Sequence, residues 1–385
     1  MTTNKNPGIY VHIPFCVRKC NYCAFLSGAS DEALRERYVK ALCEEIRIRA
    51  RLMSDHAHGV FDTIFFGGGT PSLLTSAQVA RIIDELKMNF NIDDEAEITL
   101  ESNPATLSME SLRGYRQSGV NRLSMGVQSM NDEILKRLGR IHTAGDVIRD
   151  VQNAREAGFD NINLDLMFAV PGSSLETTLI DIEAVTSLEP EHISFYSLQL
   201  EEGTAFFKEF ERGELKEVPD EIDRETYHAG AKILRDKGYE QYEISNFAKI
   251  GYESRHNLKY WNMAPYLGLG LGASSFIDNS RVMNVCSLDE YFNLTGKGLA
   301  PSAEVHENSE HDNMAEAVFT GLRKVEGIRY EDVLGSYEKF WKYYSDVFEE
   351  AHQYAREGKL IIDEEGMRLT EEGIDISNSI MALFV

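Results

Sequence analysis

The feature that most constrains this chain is a repeated alternation of short apolar runs with amphipathic stretches. Runs of strand character lie at 9–13 (IYVHI), 63–67 (TIFFG), 97–102 (EITLES), 122–127 (RLSMGV), 162–168 (INLDLMF) and 192–198 (HISFYSL). Segments 31–52, 76–89, 107–118, 144–157 and 176–187 carry helical periodicity, often behind a Ser, Thr or Asp suited to cap a helix. Alternation of this kind calls for a parallel sheet of βα units, and strands apolar throughout call for cover on both faces. The expected fold is therefore α/β, a partial six-unit (β/α) barrel. Chemistry in such barrels gathers at the C-terminal strand ends, where Gly67 to Thr70, Glu101, Gln128 and Asp165 fall.

Beyond about residue 215 the rhythm loosens. A helix is expected over 220–237, followed by YEQYEIS, HNLKYW and the glycine-rich YLGLGLGASSF. Helices are expected at 309–322 and 336–357, with a β-hairpin in KLIIDEEGMRLT turning through Glu364, Glu365 and Gly366. With the final segment 371–383 these read as a small winged-helix-like module. The expected organisation is 1–215 for the barrel, 216–300 for an extension carrying HNLKYW, and 301–385 for the C-terminal module. Gly268, Gly270 and Gly272 lack the spacing and βα context of a dinucleotide loop, so close backbone packing is their expected role.

Charge narrows the partners. Thirty-nine Lys and Arg against 63 Asp and Glu leave a formal charge of −24, which opposes attraction to phosphate backbones, and nucleic acid is not an expected partner. No run is long and apolar enough to span a bilayer, and Met1 to Pro7 is polar, without the apolar core of a signal peptide. A cytoplasmic location is the expectation.

Three of the five cysteines, Cys16, Cys20 and Cys23, are crowded as C-x-x-x-C-x-x-C just after the first strand. That pattern suits a thiolate metal site in a reducing compartment better than a disulfide framework. Three thiolates can hold three irons of a four-iron cluster and leave the fourth open. A zinc site with His12 as fourth ligand remains open at this point. Cys43 and Cys286 are expected to be buried, inert thiols. The turn Gly67-Gly68-Gly69-Thr70-Pro71 follows a strand, and its glycines permit a tight bend and close approach of a ligand to backbone N–H groups.

The motifs YVHIPFC, C-x-x-x-C-x-Y-C and GGGTP together resemble those of radical S-adenosylmethionine (SAM) proteins, and within them the HemN/HemW family of oxygen-independent coproporphyrinogen oxidases and related heme chaperones. The resemblance runs from Tyr10 through the C-terminal module. It implies a [4Fe–4S] cluster on Cys16, Cys20 and Cys23, with the methionine end of SAM on the open iron and reductive cleavage to a 5′-deoxyadenosyl radical. It also implies cofactor contacts from Tyr10, Gly68, Gly69, Thr70, Glu101, Gln128, Arg140 and Asp165. The cofactor would carry the difficult chemistry while the protein orients and shields it.

Two departures separate this chain from the oxidase branch. Phe25 stands where that branch typically carries a fourth cysteine, and the first strand begins by about Ile9, without the long extension that helps cover the oxidase site. His256-Asn257-Leu258-Lys259-Tyr260-Trp261 matches instead the HNxxYW motif of the heme-chaperone branch. The resemblance implies heme contact through His256, Asn257, Tyr260 and Trp261, an imidazole being a good axial ligand and the aromatics offering flat apolar surface. His142 is a weaker second candidate. The implied partners are heme as cargo, a heme-accepting protein and an electron donor for the cluster, with room for a transient membrane-protein acceptor and a homodimer. The leading reading is heme binding and delivery; a radical enzyme acting on a porphyrin, or an interaction module with a structural cluster, are the alternatives.

Overall fold

In the computed structural model, which describes residues 6–53 and 59–385, the alternation resolves into β1 (Gly8–Ile13), α1 (Glu32–Met53), β2 (Phe61–Gly68), α2 (Ser76–Asn89), β3 (Ile92–Ser102), α3 (Met109–Gln117), β4 (Arg122–Gln128), α4 (Asp132–Leu138), α5 (Ala144–Glu156), β5 (Ile162–Phe168), α6 (Leu175–Thr186) and β6 (His192–Ser197). The first five residues of the polar N-terminus lie outside the described residues. All six strands run parallel in the order β1 to β6. They do not close on one another, because further strands flank each end, as a partial barrel requires.

Side-chain alternation explains the layering. Ile9, Val11, Ile64, Phe66, Leu100, Leu123, Leu164 and Ile193 are fully buried in the core that the surrounding helices share. Each such side chain contributes about 1.5–3 kcal/mol on burial. The helices begin where the sequence supplies caps: Thr75 with Gln78, Ser108 with Ser111, Thr143 with Asp146 and Ser174 with Thr177 form reciprocal capping boxes. Thr99, Arg122, Asn163 and His192, buried at matching registers, make the barrel interior polar. Asn163 Nδ2 donates to Ser124 Oγ and to Asp165 Oδ1, each at 2.7 Å, while His192 bonds Asn163 Oδ1 at 2.6 Å and the Tyr242 hydroxyl at 2.8 Å.

Later segments extend the same sheet. After α7 (Ala205–Glu211) and α8 (Asp220–Asp236), the hairpin of β7 (Glu240–Glu243) and β8 (Asn246–Ala248) adds antiparallel to β6. HNLKYW lies in α9 (Arg255–Trp261), which leads into β9 (Tyr266–Leu269), parallel to β1. The strands β10 (Ser274–Ile277), β11 (Ser280–Asn284) and β12 (Ser302–Glu307) complete that side, giving this sheet twelve strands among the described residues. Close backbone packing does explain Gly268, where an added Cβ would lie 2.1 Å from the Ser274 carbonyl oxygen. A C-terminal group of helices packs with a small sheet of β13 (Ile328–Arg329), β14 (Leu360–Ile362) and β15 (Gly366–Leu369), the last two forming the expected hairpin.

Four sequence expectations need correction. β3 starts at Ile92, because the acidic Asp93-Asp94-Glu95 stretch masks an exposed strand end. The short α4 was not expected; Asn131 caps it by accepting from the Glu133 and Ile134 N–H groups, and Gly139 ends it. The helix expected over 336–357 divides into 337–343 and 348–356, with Ser345 and Asp346, residue types that favour turns over helix interiors, between them. Cys286 is exposed in a loop after β11, whereas Cys43 is buried as expected.

Candidate functional site

The cysteine loop leaves β1 at the C-terminal rim of the barrel, and its three thiols are half-buried. Cys23 N–H donates to the Cys20 carbonyl, while Asn21 N–H donates to the Leu138 carbonyl, fastening the loop to α4. His12 is not available as a fourth ligand. Its Nδ1 bonds the Tyr10 hydroxyl at 3.0 Å and its Nε2 bonds the Leu26 carbonyl at 3.0 Å. Among the described residues no three His, Cys, Asp or Glu side chains are grouped around a position for one metal ion. The donor set is thus three sulfurs on one loop, a set that fits a cluster with one open iron.

Groups outside the loop point at those sulfurs. Thr70 donates its hydroxyl to Cys16 Sγ at 3.6 Å, and Arg140 Nη1 donates to Cys20 Sγ at 3.6 Å. Burial first, then the neighbouring Cys20 and Cys16, pushes the Cys23 thiol up from its usual range, so a bound cation is what would bring it to the thiolate form. Asn103 joins the two donors: its Nδ2 donates to Thr70 Oγ1 at 2.7 Å and its Oδ1 accepts from Arg140 Nη2. Sequence reasoning passed over Asn103. Its place in ESNP, one residue past the end of β3, was the available signal.

The glycine turn acts differently from expectation. The N–H groups of Gly69 and Thr70 are taken by the carbonyls of Ile13 and Phe15, and that of Gly68 by Glu101 Oε2 at 3.0 Å. A Cβ at Gly69 would lie 2.6 Å from the Phe15 carbonyl oxygen, and one at Gly68, where φ is +111°, 2.4 Å from the His12 ring. The glycines therefore let the turn lie against the cysteine loop. No N–H from Gly68 to Thr70 is left for a ligand, and the Thr70 carbonyl already accepts from Leu73 N–H.

Around this turn the rim collects the remaining expected residues. Burial, and secondarily Asp165, pushes the Glu101 carboxyl up to about 8, and burial raises that of Asp165 as well. Two carboxyls kept from ionising together are primed for a cation. Tyr10 stacks on Phe65, next to Glu101 across the Gly67 backbone. Gln128 takes a left-handed conformation, φ +70°, and its Oε1 accepts from the Tyr196 hydroxyl at 2.7 Å. Ala105 and Ala169, each just past the end of β3 or β5, are also left-handed, a concentration of unfavourable backbone at this rim. Tyr10, Gly68, Gly69, Thr70, Glu101, Gln128, Arg140 and Asp165 thus fall on one rim with the cysteine loop.

The residues of α9 adjoin that rim, His256 and Tyr10 both stacking on Phe65 and Tyr260 lying near Tyr10 and Glu101. His256 is 1% exposed; its Nδ1 bonds Thr63 Oγ1 at 2.8 Å and its Nε2 bonds the Tyr260 hydroxyl at 2.9 Å. Its ring stacks on Phe65, and burial first, then Lys259 and Arg122, pushes its pKa down to about 3. Tyr260 meets Tyr266 edge-on, and the Trp261 ring lies under the Arg323 guanidinium. Asn257 N–H donates to the capping Ser254 hydroxyl. In this conformation neither ring nitrogen of His256 is open to an iron. The buried His142 bonds the Val127 carbonyl through Nε2 at 3.1 Å.

Comparison with known proteins gives the following. Residues 10–185 match the family model described as the radical SAM superfamily, and residues 308–376 match the HemN C-terminal domain. The chain is 35% identical over 378 residues to the heme chaperone HemW of Bacillus subtilis, covering 98% of each chain. It is 40% identical over 271 residues to the heme chaperone HemW of Escherichia coli, covering 69% of this chain and 68% of the other. It is 32% identical over 394 residues to the mitochondrial radical S-adenosyl methionine domain-containing protein 1 of Danio rerio, covering 97% and 85%. Among solved structures, coproporphyrinogen III oxidase (HemN) from Escherichia coli superposes with a TM-score of 0.85 at 24% identity, covering 99% of this chain and 90% of that one. At that identity the likeness concerns the fold.

Proposed function

Because this chain belongs to the heme chaperone HemW family of the radical SAM superfamily, we propose that it binds heme as cargo and passes it to an acceptor protein, using a [4Fe–4S] cluster and SAM. The observation that carries the reading is 35% identity along 98% of a heme chaperone, combined with three thiols on one loop, two of which receive hydrogen bonds from Thr70 and Arg140. When bound, the cluster and SAM supply one-electron chemistry at the sulfonium.

The chain's own residues do the rest. Cys16, Cys20 and Cys23 hold the cluster. Gly68, Gly69 and Thr70 contact the methionine ammonium, and Glu101 and Asp165 supply negative charge once a cation displaces their protons. Gln128, Arg140 and Tyr10 orient the remaining polar atoms. Heme contact by His256, Asn257, Tyr260 and Trp261 requires α9 to lift from β2, since His256 must first release Thr63 and Tyr260. The acceptor, soluble or in a membrane, takes heme from a protein with no helix among its described residues long and apolar enough to cross a membrane. We place that transfer in the cytoplasm, where free thiols persist.

A transfer assay separates this reading from porphyrin chemistry. The reconstituted protein, loaded with heme and given apomyoglobin, should release heme to it, and it should leave coproporphyrinogen unchanged in the presence of SAM and reductant. Consumption of SAM in step with a modified porphyrin would make it an enzyme instead.

A further inference from the structure

Inside the barrel, one side-chain layer below the rim, a charge stands without a partner. Arg122 begins β4 and is 2% exposed, and its in-register neighbour on β3, Thr99, is fully buried. Leu100 and Leu123 lie in the core shared with the helices, so alternation turns Thr99 and Arg122 the other way, into the barrel. Among the described residues the Arg122 guanidinium donates no hydrogen bond and joins no ion pair. Its Nε is wholly enclosed, and so is the unpartnered Thr99 Oγ1. Buried polar groups are ordinarily paired, and a buried charge left alone is costly, so two such donors side by side call for an acceptor.

The neighbours have their own groups committed elsewhere. His192 spends its ring nitrogens on Asn163 and Tyr242, and His256 spends its own on Thr63 and Tyr260. The Glu97 carboxylate accepts from the Arg255 and His256 N–H groups at 3.3 and 3.2 Å. Asp165 accepts from Asn163, and Glu101, raised to about 8 chiefly by burial, is largely protonated at neutral pH. Burial dominates the pKa values of Glu101, Asp165, His192, Tyr242 and His256, and the Arg122 charge is among the further causes that pull each one down. The guanidinium thus sits amid these groups and pairs with none of them.

We propose that Arg122 and Thr99 form a buried anion site built for a carboxylate. A planar guanidinium takes the two oxygens of a carboxylate side by side, and the Thr99 hydroxyl can donate a third hydrogen bond. Neither residue is among the cofactor contacts; Glu101 and Ser124 stand two residues further along the same strands. The carboxylate has two sources. One is a free ion such as formate, small enough for an enclosed site; the other is the carboxylate arm of a porphyrin, entering on the His256 side once α9 lifts. The site stands apart from the heme reading, and only the second source rests on it.

The test uses the full-length, cluster-reconstituted protein in a bulky sulfonate buffer, with formate as the first probe. Formate should raise the midpoint of anaerobic thermal unfolding in a saturable way, by about 3 °C or more beyond the sulfonate at equal ionic strength. Arg122→Met should lose that response and, without formate, be at least as stable as the unaltered protein. Thr99→Val should weaken the apparent formate affinity about fivefold, and it serves if Arg122→Met does not fold. The second probe is hemin against hemin dimethyl ester. Tighter binding of the diacid, by about tenfold and lost in Arg122→Met, assigns the site to the porphyrin arm. Equal binding of diacid and diester with an intact formate response assigns it to a free ion, and either result supports the proposal. A protein indifferent to formate and without preference for the diacid overturns it, as do variants that respond to formate as the unaltered protein does. A formate response lost in the variants, in a protein that binds neither hemin nor its diester, supports the site and overturns the heme reading.

Discussion

The cysteine loop and α9 carry the two motifs that tie this chain to its relatives, and their surroundings are opposite. The loop stands at an open rim with half-buried thiols and donors already aimed at two sulfurs. In α9 the histidine is enclosed, with both ring nitrogens satisfied by hydroxyls and its ring stacked on Phe65. A motif shows which residues are kept together; burial and hydrogen bonding show whether they can act without a rearrangement. The rim presents its three thiols partly exposed, whereas α9 needs an opening motion before any iron could reach His256.

The largest expected effect strikes the rim. Cys20→Ala should abolish iron incorporation, read as iron content and visible absorbance after anaerobic reconstitution, while leaving the thermal unfolding of the apoprotein nearly unchanged. A variant that still holds a full cluster would break the comparison at its first half. The opposite pattern is expected in α9. His256→Ala should cost about 2–4 kcal/mol of stability through a cavity and two stranded hydroxyls, yet leave iron incorporation intact. A fully stable variant would mean that His256 is not the buried strut described.

A smaller effect sharpens the account of the rim. The Glu101 carboxyl, with a pKa raised to about 8, is largely protonated at neutral pH and must lose its proton to pair with a cation. The affinity of the reconstituted protein for SAM should therefore rise with pH, by up to about tenfold per unit below about 8, and level off above. Glu101→Gln should bind more weakly with a flat profile. A pH-independent affinity in the unaltered protein would remove Glu101 from the cofactor site. Least affected should be Asn103→Ala, which unlinks Thr70 from Arg140; a loss of about 1 kcal/mol in SAM affinity, roughly fivefold, is expected by calorimetry.

Much of this was legible in the sequence because local signals and burial agreed. The six apolar runs became the six parallel strands, and the Ser and Thr caps marked where α2, α3, α5 and α6 begin. Gly68 to Thr70, Glu101 and Gln128 were legible because they end apolar runs, whereas Asp165 lies within β5 and Arg140 just after α4, not at a strand end. What escaped depended on partners distant in the chain. Glu45 reads as an ordinary exposed helix residue, yet it is fully buried and accepts from the Gly270 N–H, Asn284 and the Tyr291 hydroxyl. Asn103 gains its role only when Thr70 and Arg140 arrive from either side. The enclosure of His256 comes from Thr63 and Phe65, almost two hundred residues earlier, and no pattern within HNLKYW announces it. Local pattern shows where a chain turns and which face it buries; it does not show which polar groups will close on each other.

The most direct test is an anaerobic hemin titration of the cluster-reconstituted protein, followed at the Soret band, with His256→Ala and His256→Gln in parallel. The account predicts saturable, equimolar binding by the unaltered protein, with a lag or slow phase that reports the opening of α9 if His256 is the ligand. Absence of saturable heme binding in a protein that holds its cluster would contradict the chaperone reading.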